Sequence, residues 1–347
     1  MATISPDTGH PSWHHALLLS LLLSLGLAAE SAASVTPASF SPITAGSNAG
    51  VKGLSQVTVR TLTITYRAHT GDLRHAIVLL PSWYTRQHNP PLPLVISPHG
   101  RGAGGRYNAQ FWGTLPTTGG FVVVNPDGMG RRYVRYSYGD PGQIDDLARM
   151  PDIVARALPW VHIDRHRIFA LGSSMGGQET LLLVARHPEL LAGAAAMDSV
   201  TDLVRRYRQL PLIAGGRDLQ SMLRKEVGGT PAEKSTAYAA RSPLSLANAI
   251  AQSNVPLQIW WSRVDRIVID QTHQSGALFR LIAQLQPRAE VKAYIGHWRH
   301  SSEMRSTALL PLALVNFGLL PQGFEACPVA VQQRIAGTEP AARALGR

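Results

Sequence analysis

Residues 172–176 read Gly-Ser-Ser-Met-Gly, a G-x-S-x-G motif with Ser174 at its centre. Ile168–Leu171 before it is an apolar run of strand length, and Leu181–Val184 after it belongs to a helical run. A serine on so sharp a strand-to-helix turn is pushed into strained backbone geometry. Close packing around it tolerates little more than hydrogen at Gly172 and Gly176. Its hydroxyl then stands clear of the sheet, and the first amides of the helix point at whatever carbonyl it attacks. The plainer reading is a serine in a glycine-rich turn. The flanking strand and helix favour a nucleophile.

A nucleophilic serine needs a base, an acid to orient the base, and donors for the developing oxyanion. In a parallel sheet these are expected at the carboxyl ends of strands, in the chain order serine, acid, histidine. Asp265, in IWWSRVDRIV just past the apolar run Leu257–Trp261, is the first choice of acid. Asp198, in AMDSV, also follows a predicted strand and is the alternative; Asp270 falls where the next helix should begin. Two histidines compete as base in GHWRHSSEM, His297 and His300. His300 is preferred because Ser301 has the character of a helix N-cap, and the base belongs in the loop just before that helix. The oxyanion donors are expected to be the amide of Met175 and, from the loop Pro98–Gly105, the amide of Arg101. The Arg101 side chain brings a charge that could help bind substrate.

The same loop carries a competing signal. Gly100, Gly102 and Gly105 spell G-x-G-x-x-G after a strand, and Asp127 follows, which is the outline of a dinucleotide fingerprint. The loop does not follow the first strand, however, and Asp127 lies in a Pro-Asp-Gly turn, so no cofactor is expected. No Cys/His cluster suggests a metal. Tyr133, Tyr136, Tyr138 and the pair Trp260–Trp261 could line a pocket or pack in the core.

These residues have to be positioned by an alternation of strands and helices. Val57–Ala68 alternates apolar and polar residues, as a half-exposed strand does, and Arg74–Trp83 pairs with it as an antiparallel neighbour. Leu92–Ser97, Phe121–Asn125, Gly193–Met197, Leu257–Trp261 and Val291–Ile295 are short and almost continuously apolar, which fits strands buried on both faces. Helices are predicted over Ile144–Val161, Gln271–Leu285 and near Arg305–Leu319, with an irregular segment from about Thr201 to Ala247. The pattern predicts an α/β fold with a mainly parallel central sheet, helices on both faces and an antiparallel strand pair at one edge.

The ends are different. Ala16–Ala29 is nearly all apolar and is followed by small residues, so residues 1–33 are expected to be a signal peptide, with an uncleaved membrane anchor as the alternative. Residues 34–54 read as a linker and 321–347 as a C-terminal tail, and the protein is expected outside the cytoplasm. The one cysteine, Cys327, cannot form an intrachain disulfide. Residues 1–33 hold Asp7 and Glu30 and no Lys or Arg, so removing them takes the net charge from +11 to +13. That charge is mostly scattered arginine without an aromatic-interleaved stripe, and no nucleic-acid partner is expected.

Taken together, residues 55–320 resemble the α/β-hydrolase superfamily. The His-Gly loop at 99–100, the G-x-S-M-G-G turn, the D-x-x-V stretch from Asp265 and the final histidine loop occur in that order. Residues 228–247 resemble the catalytic domains of prolyl-oligopeptidase-type serine peptidases and related exported esterases. The resemblance implies a Ser-His-Asp hydrolase acting through an acyl-enzyme. G-H-W-R-H departs from the usual G-G-H, and the chain after its signal has no room for the propeller domain of the longer peptidases. The expectation is therefore an exported hydrolase of small or polymeric carboxylic esters, with a peptidase and a non-catalytic hydrolase-like binding protein as alternatives.

Overall fold

Six parallel strands carry the molecule. The computed structural model describes residues 58–324 and the backbone of 332–335, so the signal-peptide and linker expectations lie outside the described residues. The strands are β1 (Val59–Arg67), β2 (Leu73–Pro81), β3 (Leu92–Ile96), β4 (Val122–Pro126), β5 (Ile163–Ser173), β6 (Gly193–Met197), β7 (Leu257–Ser262), β8 (Val291–Gly296) and β9 (Gln332–Ile335). Their order across the sheet is β1-β2-β4-β3-β5-β6-β7-β8-β9. β1 and β2 form an antiparallel ladder from Val59↔Pro81 to Arg67↔Leu73, and β2 joins β4 antiparallel. From β4 to β8 every neighbouring pair is parallel.

The continuously apolar strands are buried on both faces, and alternate residues serve different cores. Val122, Val124, Ile168, Ala170, Leu257 and Ile259 pack on one side with helices Pro141–Ala148, Met150–Ala157, Met175–Arg186 and Ser275–Leu285. Val123, Phe169, Leu171 and Trp260 pack on the other, against Trp112 and the helix Leu309–Val315. The chain is an α/β-hydrolase fold. Its strand order reverses between β3 and β5, so the loops leaving those two strands diverge to opposite faces and leave a crevice at their carboxyl ends.

Several local expectations are corrected. The predicted helix 144–161 is two helices, because Pro151 has no amide to donate and its ring cannot follow the turn ending at Ala148. The segment expected to be irregular, 201–247, contains helices Leu203–Gln209, Gly216–Val227 and Ser235–Ala240. They enclose a third, smaller core of Tyr138, Val200, Leu203, Leu223, Val227, Tyr238 and Val268. The last helix is short, Leu309–Val315, after a 3-10 turn over Ser302–Arg305. The tail is not all extension: β9 lies antiparallel on β8, with Ile295 opposite Gln332. Among the described residues no helix is long and apolar enough to cross a membrane.

Candidate active site

Ser174 sits at the end of β5 with φ 61° and ψ −121°, a conformation that costs a non-glycine residue about 1–3 kcal/mol. The neighbouring glycines keep it there. A Cβ on Gly176 would lie 2.2 Å from the Pro98 carbonyl oxygen, and one on Gly172 would lie 2.6 Å from the Gly176 carbonyl. Both clashes are with backbone, which cannot swing aside. The Ser174 amide donates to the Met197 carbonyl at 2.8 Å, tying the turn to β6.

Across the crevice the histidine loop leaves β8. His300 Nε2 is 2.9 Å from Ser174 Oγ, and its Nδ1 is 2.7 Å from Asp265 Oδ2. Asp265 is 7% exposed, and its other oxygen accepts from the amides of Ile267 and Val268 at 2.8 and 3.0 Å. Gln271 Nε2 approaches Oδ2 at 3.2 Å. Those bonds fix the carboxylate's orientation, so His300 meets one defined acceptor. With Nδ1 donating to Asp265, Nε2 is left as the lone-pair acceptor for the Ser174 proton. Such a series can deprotonate the hydroxyl as it attacks and hold the imidazolium that results. His297 is exposed, three residues away on the outer side of the loop.

Asp198, the alternative acid, is close but differently employed. It is fully buried, with Oδ2 4.0 Å from His300 Nδ1. Its Oδ1 accepts from Ser262 N at 2.8 Å, and its Oδ2 from Ser301 N at 3.0 Å and Trp298 Nε1 at 3.2 Å. It therefore clamps the histidine loop on both sides of His300. Burial raises its pKa first, and the Asp265 charge adds to that. Glu303, also fully buried, has its pKa raised well above the ordinary value by burial and then by Asp198. One proton held between these two carboxyls relieves both. Asp198, Asp265 and His300 offer ligand atoms within 4.8 Å of one another. Their oxygens are already occupied by N–H donors, so a hydrogen-bond network accounts for the cluster.

The side expected to hold the oxyanion donors is formed by the loop after β3. A Cβ on Gly100 would stand 3.9 Å from Ser174 Cβ, so this loop runs beside Ser174. Met175 opens its helix, leaving its amide without a helical acceptor. His99 anchors the loop: its Nδ1 donates to the Gly100 carbonyl at 2.7 Å and its Nε2 accepts from Gly128 N at 2.8 Å. Burial lowers the pKa of His99, in keeping with that neutral tautomer. The glycines and Asp127 of the fingerprint have local duties. Asp127 Oδ1 accepts from Gly105 N at 2.8 Å, and a Cβ on Gly105 would strike the Asn125 carbonyl at 2.2 Å.

Ser301 departs from expectation. It precedes the 3-10 turn, but its hydroxyl bonds Ser173 Oγ at 2.7 Å rather than capping. Trp260 and Trp261 do not reach the site; Trp260 stacks on Tyr294 at 4.0 Å in the core. The cleft over Ser174, about 210 Å³, is lined instead by Arg101, Tyr107, Phe111, Ile267, Met304 and Arg305. Arg101, Ile267 and Met304 stood in stretches the sequence singled out, for other roles in the last two cases, whereas Tyr107, Phe111 and Arg305 did not. A larger cavity, about 620 Å³, lies near the amino ends of β6, β7 and β8 and contains no Ser174. Ser174, His300 and the loop residues Gly100 and Arg101 all border the smaller one.

Residues 107–305 match the prolyl oligopeptidase family. No curated protein sequence matches the chain. Among solved structures it is similar to acylaminoacyl peptidase from Pyrococcus horikoshii, at 18% identity and TM-score 0.56, over 71% of this chain and 38% of that one. It is also similar to S-formylglutathione hydrolase from Staphylococcus aureus, at 14% identity and TM-score 0.57, over 75% of this chain and 99% of that one. An esterase from Pseudomonas putida shares 18% identity and TM-score 0.54, over 75% and 79%. The chain thus spans little more than a third of the peptidase's length. At these identities the likeness concerns the fold.

Proposed function

The chain belongs to the prolyl oligopeptidase family and is a serine hydrolase of esterase or peptidase type, and from that premise we propose that it is an exported carboxylic-ester hydrolase working through Ser174, His300 and Asp265. The observation that carries this reading is the hydrogen-bond series from Ser174 Oγ through both nitrogens of His300 to Asp265, opening onto a small cleft. In the reading, His300 Nε2 takes the hydroxyl proton as Ser174 Oγ attacks the ester carbonyl. The amides of Met175 and Arg101 receive the oxyanion. The tetrahedral intermediate collapses as His300 gives its proton to the departing alcohol. Water, deprotonated by the same nitrogen, then attacks the acyl-enzyme and frees the acid.

A cleft of about 210 Å³ with Phe111, Met304 and Ile267 in its walls suits a short acyl or alcohol group better than a length of peptide. Two of the similar structures, which this chain matches over most of their length, are named as an S-formylglutathione hydrolase and an esterase. Export rests on the apolar run Ala16–Ala29. The test is a fluorophosphonate probe together with matched ester and anilide substrates. Stoichiometric labelling of the native protein that vanishes in Ser174→Ala, with turnover of esters far above that of anilides, is the expected result. Labelling that survives in Ser174→Ala removes the assignment, and anilide turnover equal to ester turnover favours the peptidase.

A further inference from the structure

The cleft beside Ser174 is basic. Arg101 and Arg305 both stand in its lining, and no Asp or Glu does. Arg305 is engaged: its guanidinium lies over Phe111 and Tyr107 at 4.9 and 5.7 Å, and it donates to the Tyr107 hydroxyl. Arg101 is not fully engaged. Its Nη1 is buried and has no hydrogen-bond partner among the described residues.

Behind Arg101 lies a second guanidinium. Arg206, on the helix Leu203–Gln209, is 4% exposed and donates to the Ile267 carbonyl. Its pKa is pushed down to about 10, first by burial and then by the charge of Arg101. Asp265 is the one acid that offsets Arg206, and its oxygens are already held by His300, two amides and Gln271. Two like charges brought together, with a buried donor left unpaired, cost stability unless an anion completes the site. A carboxylate fits best, because the planar guanidinium fork matches its two oxygens.

We propose that Arg101, backed by Arg206, is a carboxylate-binding subsite, and that the substrates of this hydrolase carry a carboxylate on the acyl or alcohol side of the scissile ester. This rests on Ser174 being the nucleophile. The carboxylate would pair with Arg101 while the ester carbonyl lies between Ser174 and the loop that follows β3. Substituting the Arg101 side chain leaves its backbone amide in place, so selectivity can be tested apart from the oxyanion donor.

The experiment compares two matched pairs: p-nitrophenyl hydrogen glutarate against p-nitrophenyl valerate for an acyl-side charge, and 4-carboxyphenyl butyrate against phenyl butyrate for an alcohol-side charge. One charged member is expected to exceed its neutral partner in kcat/KM by about 10- to 100-fold, the scale of one charge-assisted bidentate pair. In Arg101→Met that ratio should fall toward one. Free glutarate should competitively inhibit valerate ester hydrolysis by the native protein, and salt should relieve the inhibition. Whichever pair shows the preference identifies the side that carries the charge. Neutral esters equal or better in both pairs, or a ratio unchanged in Arg101→Met, would overturn the proposal. Fluorophosphonate labelling separates the two failures. Protein labelled at Ser174 that shows no carboxylate preference defeats this inference alone, whereas unlabelled protein defeats the nucleophile reading beneath it.

Discussion

Glu179 is 1% exposed on the helix that begins at Met175, one turn beyond the Met175 amide, and it accepts from the Ser137 hydroxyl. Burial raises its pKa; the Ser137 bond opposes this, Asp140 adds to the rise, and the result is about 8. The helix N-terminus favours a negative charge by at most about 2 kcal/mol. Removing a carboxylate from water costs several kcal/mol, so desolvation wins. The unfolded chain releases this proton near 4.5 and the folded chain near 8. Below 4.5 both states are protonated and the contribution to stability is fully present; as pH rises toward 8 the folded state must keep a proton that the unfolded state has lost. At about 1.4 kcal/mol per pH unit, stability falls by roughly 3 kcal/mol between pH 5 and pH 7 on this account. Glu179→Gln keeps the shape and has no such proton. Urea unfolding of both proteins at pH 5, 6, 7 and 8 isolates the effect, because other titrating groups cancel in the difference. The variant should gain on the native protein by roughly 3 kcal/mol from pH 5 to pH 7. A difference constant to within about 0.5 kcal/mol across that range would mean that Glu179 is ionised in the fold, and the reasoning would be refuted.

His300→Ala should lower kcat by several orders of magnitude, while His297→Ala, on the exposed side of the loop, should stay within about tenfold of native; steady-state kinetics on any ester that is turned over decides this. Gly176→Ala should lower kcat/KM by about 100-fold, because its methyl group meets the Pro98 carbonyl 2.2 Å away and displaces the loop after β3 that runs beside Ser174. Glu303→Gln should preserve turnover and remove a loss of stability as pH rises above the ordinary carboxyl range, since the native group must stay protonated there; Glu303→Ala, leaving Asp198 without that donor, should lower kcat by about tenfold.

What the sequence revealed and what it hid divide along physical lines. The turn at Ser174 was legible because its constraints are local: Gly172 and Gly176 are required by backbone atoms within the turn and its first contact, Pro98. The parallel strands were legible because a strand covered on both faces must be apolar throughout, as Val122–Val124 and Ala194–Met197 are. The helices of 203–240 were missed because two of them are only six or seven residues long and owe their existence to the small core they share. Gly216–Val227 could have been found. Leu219, Leu223 and Val227 recur every four residues and Gly228 closes the helix with φ 97°. β9 gave no signal: Gln332, Gln333 and Arg334 in an edge strand look like any polar tail. The cleft residues Tyr107, Phe111 and Met304 lie far apart in the chain, and only the fold brings them to Ser174.

The choice between two acids shows where reasoning by position stops. Asp198 and Asp265 each follow a parallel strand at its carboxyl end, and both reach the neighbourhood of His300 Nδ1, at 4.0 and 2.7 Å. Their distances alone would not assign roles, because a loop can breathe by an ångström. Their other bonds do. Asp265 receives the amides of Ile267 and Val268 on the oxygen that turns away from His300, so the oxygen facing the ring is directed at Nδ1. Asp198 spends both oxygens on the histidine loop and β7, through Ser301, Trp298 and Ser262. Negative charge on Asp198 is disfavoured twice, by burial and by the charge of Asp265, while His300, the amide of Ser262 and the hydrogen bond with Glu303 partly offset this. An acid that must steady an imidazolium has to remain ionised and to point at the ring. Asp265 has the geometry and the donors for that task, and Asp198 has those for holding the loop on which His300 stands.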